Sequence, residues 1–145
     1  MSVSQVKVSS KIEKGFKVEV DCSVPFVVDQ PKEAGGNGEG PNPLELLLSA
    51  LSSCMATVGR IVAMQQRIRI NNIVVEVEGD VDKTFIMEPK DGGRAGFTEI
   101  RTLLKVDGEL TEEQKADFLA EVEKRCPVTD NLASSTNLIV DIEIV

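Results

Sequence analysis

Three cysteines, Cys22, Cys54 and Cys126, are the residues best equipped for chemistry in this chain, because it contains no histidine. Without imidazole there is no Ser-His-Asp triad, no HExxH zinc site and no haem-proximal ligand. Catalysis would fall to thiols, carboxylates, amines or backbone dipoles. The thiols show no CxxC spacing and are odd in number, so they fit neither a zinc knuckle nor a disulfide framework. A free Cys is either a small buried hydrophobe or, as thiolate, a nucleophile. Both readings stay open for Cys54 and Cys126, whereas Cys22, on the apolar side of an alternating segment, reads as a core residue. The carboxylates offer no diagnostic pair: Glu112-Glu113 and Glu121 with Glu123 read as solvated helix faces. Gly36-Asn37-Gly38-Glu39-Gly40 precedes a helix but is neither GxGxxG nor GK[ST]. Glu33 and Glu39 would repel a phosphate there, so it reads as a flexible loop.

The elements that must position the thiols follow from periodicity. Phe16, Val18, Val20 and Cys22 alternate with charged residues, the period-2 pattern of a half-buried strand. Val3 to Ile12 reads as a preceding strand with a turn at Lys14-Gly15, and Val24 to Val28 as a third. Asn42, Pro43 and Glu45 then supply an N-cap, a proline at the first helical position and a capping-box carboxylate. Leu47, Leu51, Cys54, Val58 and Ile61 recur at steps of four and three, a seam suited to packing on another helix. Leu44, Leu46, Leu48, Met55 and Val62 add apolar surface off that seam. Ile73, Val75 and Val77, and later Ile100, Thr102, Leu104 and Val106, read as two more strands flanking a loop-rich stretch at 82–96. A second helix opens at Thr111 with a capping box, carries Phe118, Leu119 and Val122 on one face, and stops at Pro127 with Cys126 beside it. Leu138, Val140, Ile142 and Ile144 read as a final strand. The pattern predicts an α+β fold with antiparallel sheet, one domain over 1–145, and a sticky central helix completed by a second copy.

Composition bounds the partners. The chain has 145 residues, 41% hydrophobic and 28% charged, with a formal net charge of −8. That charge argues against nucleic acid or an anionic membrane surface as the main partner. The N-terminus lacks the apolar core of a secretory signal, and the stretch Leu44 to Met64 is broken by Ser, Thr, Gly and Arg. A cytoplasmic protein with neither membrane nor nucleic acid as partner is the expectation.

The run Gly40-Pro41-Asn42-Pro43-Leu44-Glu45 through Ser52-Ser53-Cys54 resembles the helix bearing the reactive cysteine in the OsmC/Ohr family, the osmotically inducible and organic hydroperoxide resistance proteins. Arg125-Cys126-Pro127-Val128 is similar to its second-cysteine motif, 72 positions after Cys54. The resemblance implies an OsmC-like fold: an intertwined homodimer, with antiparallel sheets around central helices and sites at the subunit interface. It implies thiol-dependent reduction of organic hydroperoxides. Cys54 would attack the terminal oxygen to give a sulfenic acid and an alcohol, and Cys126 would resolve it as a disulfide. An external lipoyl- or thioredoxin-type dithiol would reduce that disulfide, with no bound cofactor and no metal. Two positions depart from the family. No Arg precedes Arg60, and Leu44 stands where members place a Glu, with Glu45 one residue further on. Lys14, Lys17, Arg101 and Arg125 are candidate replacements for the missing cation. The alternative is a non-catalytic OsmC-like dimer that binds a small molecule and keeps vestigial or regulatory cysteines.

Overall fold

A computed structural model describes all residues, Met1–Val145. The elements run β1 (Ser9–Ile12), β2 (Val18–Asp21), β3 (Phe26–Val28), α1 (Pro43–Gln66), β4 (Ile70–Asp80), β5 (Glu99–Gly108), α2 (Glu112–Arg125) and α3 (Pro127–Ala133). The fold is α+β, with an antiparallel β1-β2-β3 sheet and an antiparallel β4-β5 pair. Contacts divide the chain into two compact units, Met1–Leu47 and Leu48–Val145.

In the N-terminal unit, β1 pairs with β2 from Ser9↔Asp21 to Ile12↔Val18, and β2 with β3 from Val18↔Val28 to Val20↔Phe26. The first strand is shorter than the alternation predicts, because Met1 to Val8 find no strand partner within the chain. Cys22 corrects its sequence reading: it is half-buried just past β2 and donates its thiol proton to the Val24 carbonyl, 3.1 Å away.

The glycine-rich segment is no loose loop. Asp29, 1% exposed, accepts backbone N–H groups from Gln30 at 2.8 Å, Asn37 at 2.9 Å and Glu39 at 3.2 Å. The amides that sequence reasoning tested for a phosphate are thus spent on the chain's own carboxylate. Glycine is required at Gly36, where a Cβ would lie 1.9 Å from the Gln30 carbonyl oxygen. Burial alone would raise the Asp29 pKa, but the Glu39, Asn37 and Gln30 amides outweigh it and hold the carboxyl below its usual range.

The C-terminal unit is built on one face of α1. Its N-terminus closes as read: Asn42 Oδ1 accepts from the Leu44 and Glu45 amides, and Glu45 Oε2 accepts from the Asn42 amide at 2.8 Å. The buried line along the helix is Leu51, Met55, Val58 and Val62, with Gly59 and Ala63 beside it. This shifts the predicted seam. Leu51 and Val58 are buried, but Leu47 and Ile61 remain 38% and 41% exposed, while Met55 and Val62, assigned off the seam, are core. The core joins that line to Ile70, Phe118, Val122 and Cys126. Gly59 permits the approach, since a Cβ there would lie 3.0 Å from Ile73 Cδ1 and 3.4 Å from Phe118 Cζ. The Arg60 guanidinium donates to the carbonyls of Ile70 (2.8 Å) and Asn71 (3.3 Å), latching α1 to the start of β4.

The last two predictions diverge. Pro127 ends α2 but also opens α3, a helix the sequence pattern does not predict; proline suits the first position of a helix as well as the stop of another. The expected final strand is absent, because Leu138, Val140, Ile142 and Ile144, 80–93% exposed, meet no strand of their own chain.

Asp29 sets a pH expectation. A carboxyl whose folded pKa is depressed contributes stability above its unfolded pKa of about 4, and that contribution is lost as pH falls through the folded value. Asp29→Asn should therefore be less stable than wild type at neutral pH, with the gap closing in acid. Thermal unfolding followed from pH 7 downward, with hydrogen exchange at the Asn37 and Glu39 amides, checks this; a constant gap would contradict it.

Candidate thiol site

The site is made where α1 passes the junction of α2 and α3. Cys54 stands on α1 one residue before buried Met55, and so at the margin of the core, half-buried. Cys126 is fully buried at 0% exposure, and it is both the C-cap of α2 and the N-cap of α3. The local sequence explains that double role. Val122 anchors α2 in the core, Pro127 cannot continue α2, and the new helix starts with its amides turned towards the Cys126 sulfur.

The two sulfurs lie 3.0 Å apart and share a hydrogen bond. Both thiols are free. A disulfide bond is about 2.05 Å long, so closure to a covalent bond asks for roughly 1 Å of approach. The Thr129 amide donates to Cys126 Sγ at 3.5 Å, and the Thr129 hydroxyl is buried near it with no hydrogen-bond partner.

These surroundings make the pair asymmetric. Burial pushes the Cys54 thiol above its ordinary pKa, and the bond to Cys126 pushes it the same way; the Val128 amide opposes them. Burial would also raise Cys126, but the bond from Cys54, the Thr129 hydroxyl and the Thr129 and Val128 amides outweigh it, so its pKa falls below the ordinary value. The first proton therefore leaves Cys126, and the remaining one is held between the sulfurs on Cys54. By sequence Cys126 ends α2 beside Arg125, whose guanidinium can favour a thiolate while a helix C-terminus opposes one. The start of α3 reverses that environment, and it was the part of the site that sequence reasoning missed.

No guanidinium or ammonium stands among the groups acting on Cys54. Arg101 lies on the outer face of β5, bound to Glu78 at 2.8 Å, to Asp80 at 2.6 Å and to Glu99. Arg125 donates to Gln65 Oε1 at 2.9 Å and faces Glu121 at 4.0 Å. Lys17 belongs to the N-terminal unit, where it pairs with Glu39 at 2.7 Å, and Lys14 occupies the exposed turn between β1 and β2. Glu45 is engaged in the α1 cap. No cluster of three or more Cys, Asp or Glu side chains is arranged to hold a metal ion.

Comparison with known proteins agrees with this architecture. A family model described as OsmC-like protein matches residues 36–141. A Mycoplasma genitalium protein named hydroperoxide reductase is 26% identical over 133 residues, 92% of this chain and 84% of that protein. One of the same name from Mycoplasma pneumoniae is 27% identical over 106 residues, covering 73% and 72%. A solved OsmC-like protein from Mycoplasma pneumoniae superposes with a TM-score of 0.78 at 23% identity, covering 91% of this chain and 89% of that one.

The asymmetry is directly measurable. In a Cys22→Ser background, thiolate absorbance near 240 nm should rise in two separate steps. The lower step should vanish in Cys126→Ser and the higher one in Cys54→Ser. A single step at the pKa of an ordinary cysteine would contradict the geometry.

Proposed function

Since the chain belongs to the OsmC-like protein family, we propose that it is a two-cysteine thiol peroxidase that reduces organic hydroperoxides. The observation that carries the reading is the pair of free sulfurs at hydrogen-bond distance, one half-exposed and one buried. Relatives named hydroperoxide reductase support the substrate class.

In this reading the half-exposed Cys54 meets the hydroperoxide. Its sulfur attacks the terminal oxygen, the O–O bond breaks, and the alkoxide leaves with a proton to become an alcohol. Cys54 is then a sulfenic acid. The Cys126 thiolate, already alongside, attacks the Cys54 sulfur and expels hydroxide as water, closing the disulfide. Cys126 also serves the first step: as the deprotonated sulfur it takes the shared proton from Cys54 as attack begins and passes it to the departing alkoxide, which returns Cys126 to the thiolate that closes the disulfide. That supplies in part what a cation would otherwise supply. An external dithiol returns both thiols, so no bound cofactor is needed, and a reducing cytoplasm suits such a cycle.

The assembly belongs to the same proposal: a homodimer. Its support is apolar surface that one chain leaves uncovered. Leu47 and Ile61 flank Cys54 along α1 at heptad spacing, 38% and 41% exposed, and Met64 is 71% exposed. The tail from Leu138 to Val145 is 80% exposed or more at every apolar position. A second copy would offer strands for that tail and a helix for that edge, and multi-angle light scattering should return twice the mass of the 15.7 kDa chain. Deleting 137–145 should shift the mass towards the monomer; an unaltered monomer in both proteins would refute the dimer.

The raised Cys54 thiol favours a second reading, an OsmC-like small-molecule binder with regulatory cysteines. One experiment separates the two. On mixing reduced protein with cumene hydroperoxide, the peroxidase reading expects a Cys54–Cys126 disulfide by mass spectrometry. It expects loss of peroxide consumption in Cys54→Ser, and a dimedone-reactive sulfenic acid in Cys126→Ser. Two thiols that stay reduced in excess peroxide would leave the binder as the function.

A further inference from the structure

The reduction of the disulfide must begin at one of its two sulfurs, and the structure distinguishes them. Cys126 is 0% exposed, whereas Cys54 is half-buried. Thr129 donates its amide to the enclosed sulfur at 3.5 Å, and its hydroxyl is buried nearby with no hydrogen-bond partner. A buried hydroxyl without an acceptor is costly, and a sulfur that becomes charged would supply one. We propose that Thr129 is a positioning residue for the reductive half of the cycle: it holds Cys126 as the leaving sulfur, so that the external dithiol attacks Cys54. This rests on the two-cysteine reading above and assigns the direction of its last step.

The step balances as follows. A reductant thiolate bonds to Cys54 Sγ, the Cys54–Cys126 bond breaks, and its electron pair stays on Cys126 as a thiolate that accepts from Thr129. The second thiol of the reductant then attacks the reductant sulfur of the mixed disulfide and releases Cys54. The dithiol has given up two electrons and becomes a cyclic disulfide. A leaving thiol of lower pKa departs faster, which is what the Thr129 donors provide.

The test uses the full chain with Cys22→Ser, oxidised by diamide, which takes two electrons and two protons from the thiol pair without any peroxide. Limiting 2-mercaptoethanol is added, the mixture is quenched in acid, and peptide mass spectrometry locates the adduct. The expected adduct is on Cys54. An adduct on Cys126, or failure of diamide to join the sulfurs, overturns the proposal.

Thr129→Val should make Cys126, titrated in the Cys54→Ser background, a roughly tenfold weaker acid. It should also slow disulfide reduction about threefold, and Thr129→Ser should restore both. Unchanged acidity and rate in a folded Thr129→Val protein overturn the role of Thr129. Because diamide replaces peroxide, a protein inert to cumene hydroperoxide can still give the Cys54 adduct. Loss of the peroxidase reading is therefore distinct from loss of this one.

Discussion

Everything at the thiol site depends on how α1 is seated. Leu51, Met55, Val58 and Val62 turn one face of the helix into a common core with Phe118 and Val122 of α2. Each fully buried side chain of this size is worth about 1.5–3 kcal/mol of apolar transfer, so this line outweighs any single polar contact in the unit. Gly59 sets how closely the helix can lie, and the Arg60 guanidinium fixes it to the carbonyls that open β4. With the face fixed, Cys54 has no freedom to choose its neighbour. It stands at the edge of the buried stripe, where the end of α2 delivers Cys126.

That seating explains which parts of the molecule were legible in the sequence. Caps are local, and both were readable: Asn42 with Glu45, and Thr111 with Gln114, close as their spacing implies. Long alternating strands such as β4 and β5 were readable too. The seam was harder, because α1 carries apolar residues around more than half its circumference. Two heptad lines therefore compete, and only the neighbours α1 meets decide that 51-55-58-62 goes inward. Cys126 shows the same limit. Proline marks a boundary, but whether it ends one helix or also begins another depends on where the core draws Val122 and Val128. Asp29 was invisible for a related reason, since a carboxylate eight residues before Asn37 becomes its partner only once the chain has folded back.

The terminal segments carry a different lesson. The alternation in Leu138 to Ile144 is a genuine strand signal, yet a strand needs hydrogen-bond partners, and periodicity does not say which chain supplies them. Within one copy the segment stays exposed, as does the Leu47–Ile61 edge of α1. Fold class was therefore readable from one sequence, while the full count of strands was not.

The site itself works by division rather than by a single activated residue. A low-dielectric position disfavours any thiolate, and burial acts on both sulfurs in that sense. The Val128 amide acts on both, but the Thr129 donors act on Cys126 alone. Concentrating the Thr129 groups on Cys126 lets the pair lose a proton at one sulfur while the other keeps both its exposure and its proton. A cation beside Cys54 would favour the thiolate at the point where substrate arrives, and this chain has no Arg before Arg60 to provide one. Backbone amides at the start of α3 act instead from the enclosed side. They carry no net charge, so the pair reacts without burying a counterion whose desolvation would have to be offset. The cost is placed on the entering sulfur, which begins protonated and depends on its neighbour to take the proton, so the two cysteines are chemically one group until the peroxide separates their roles.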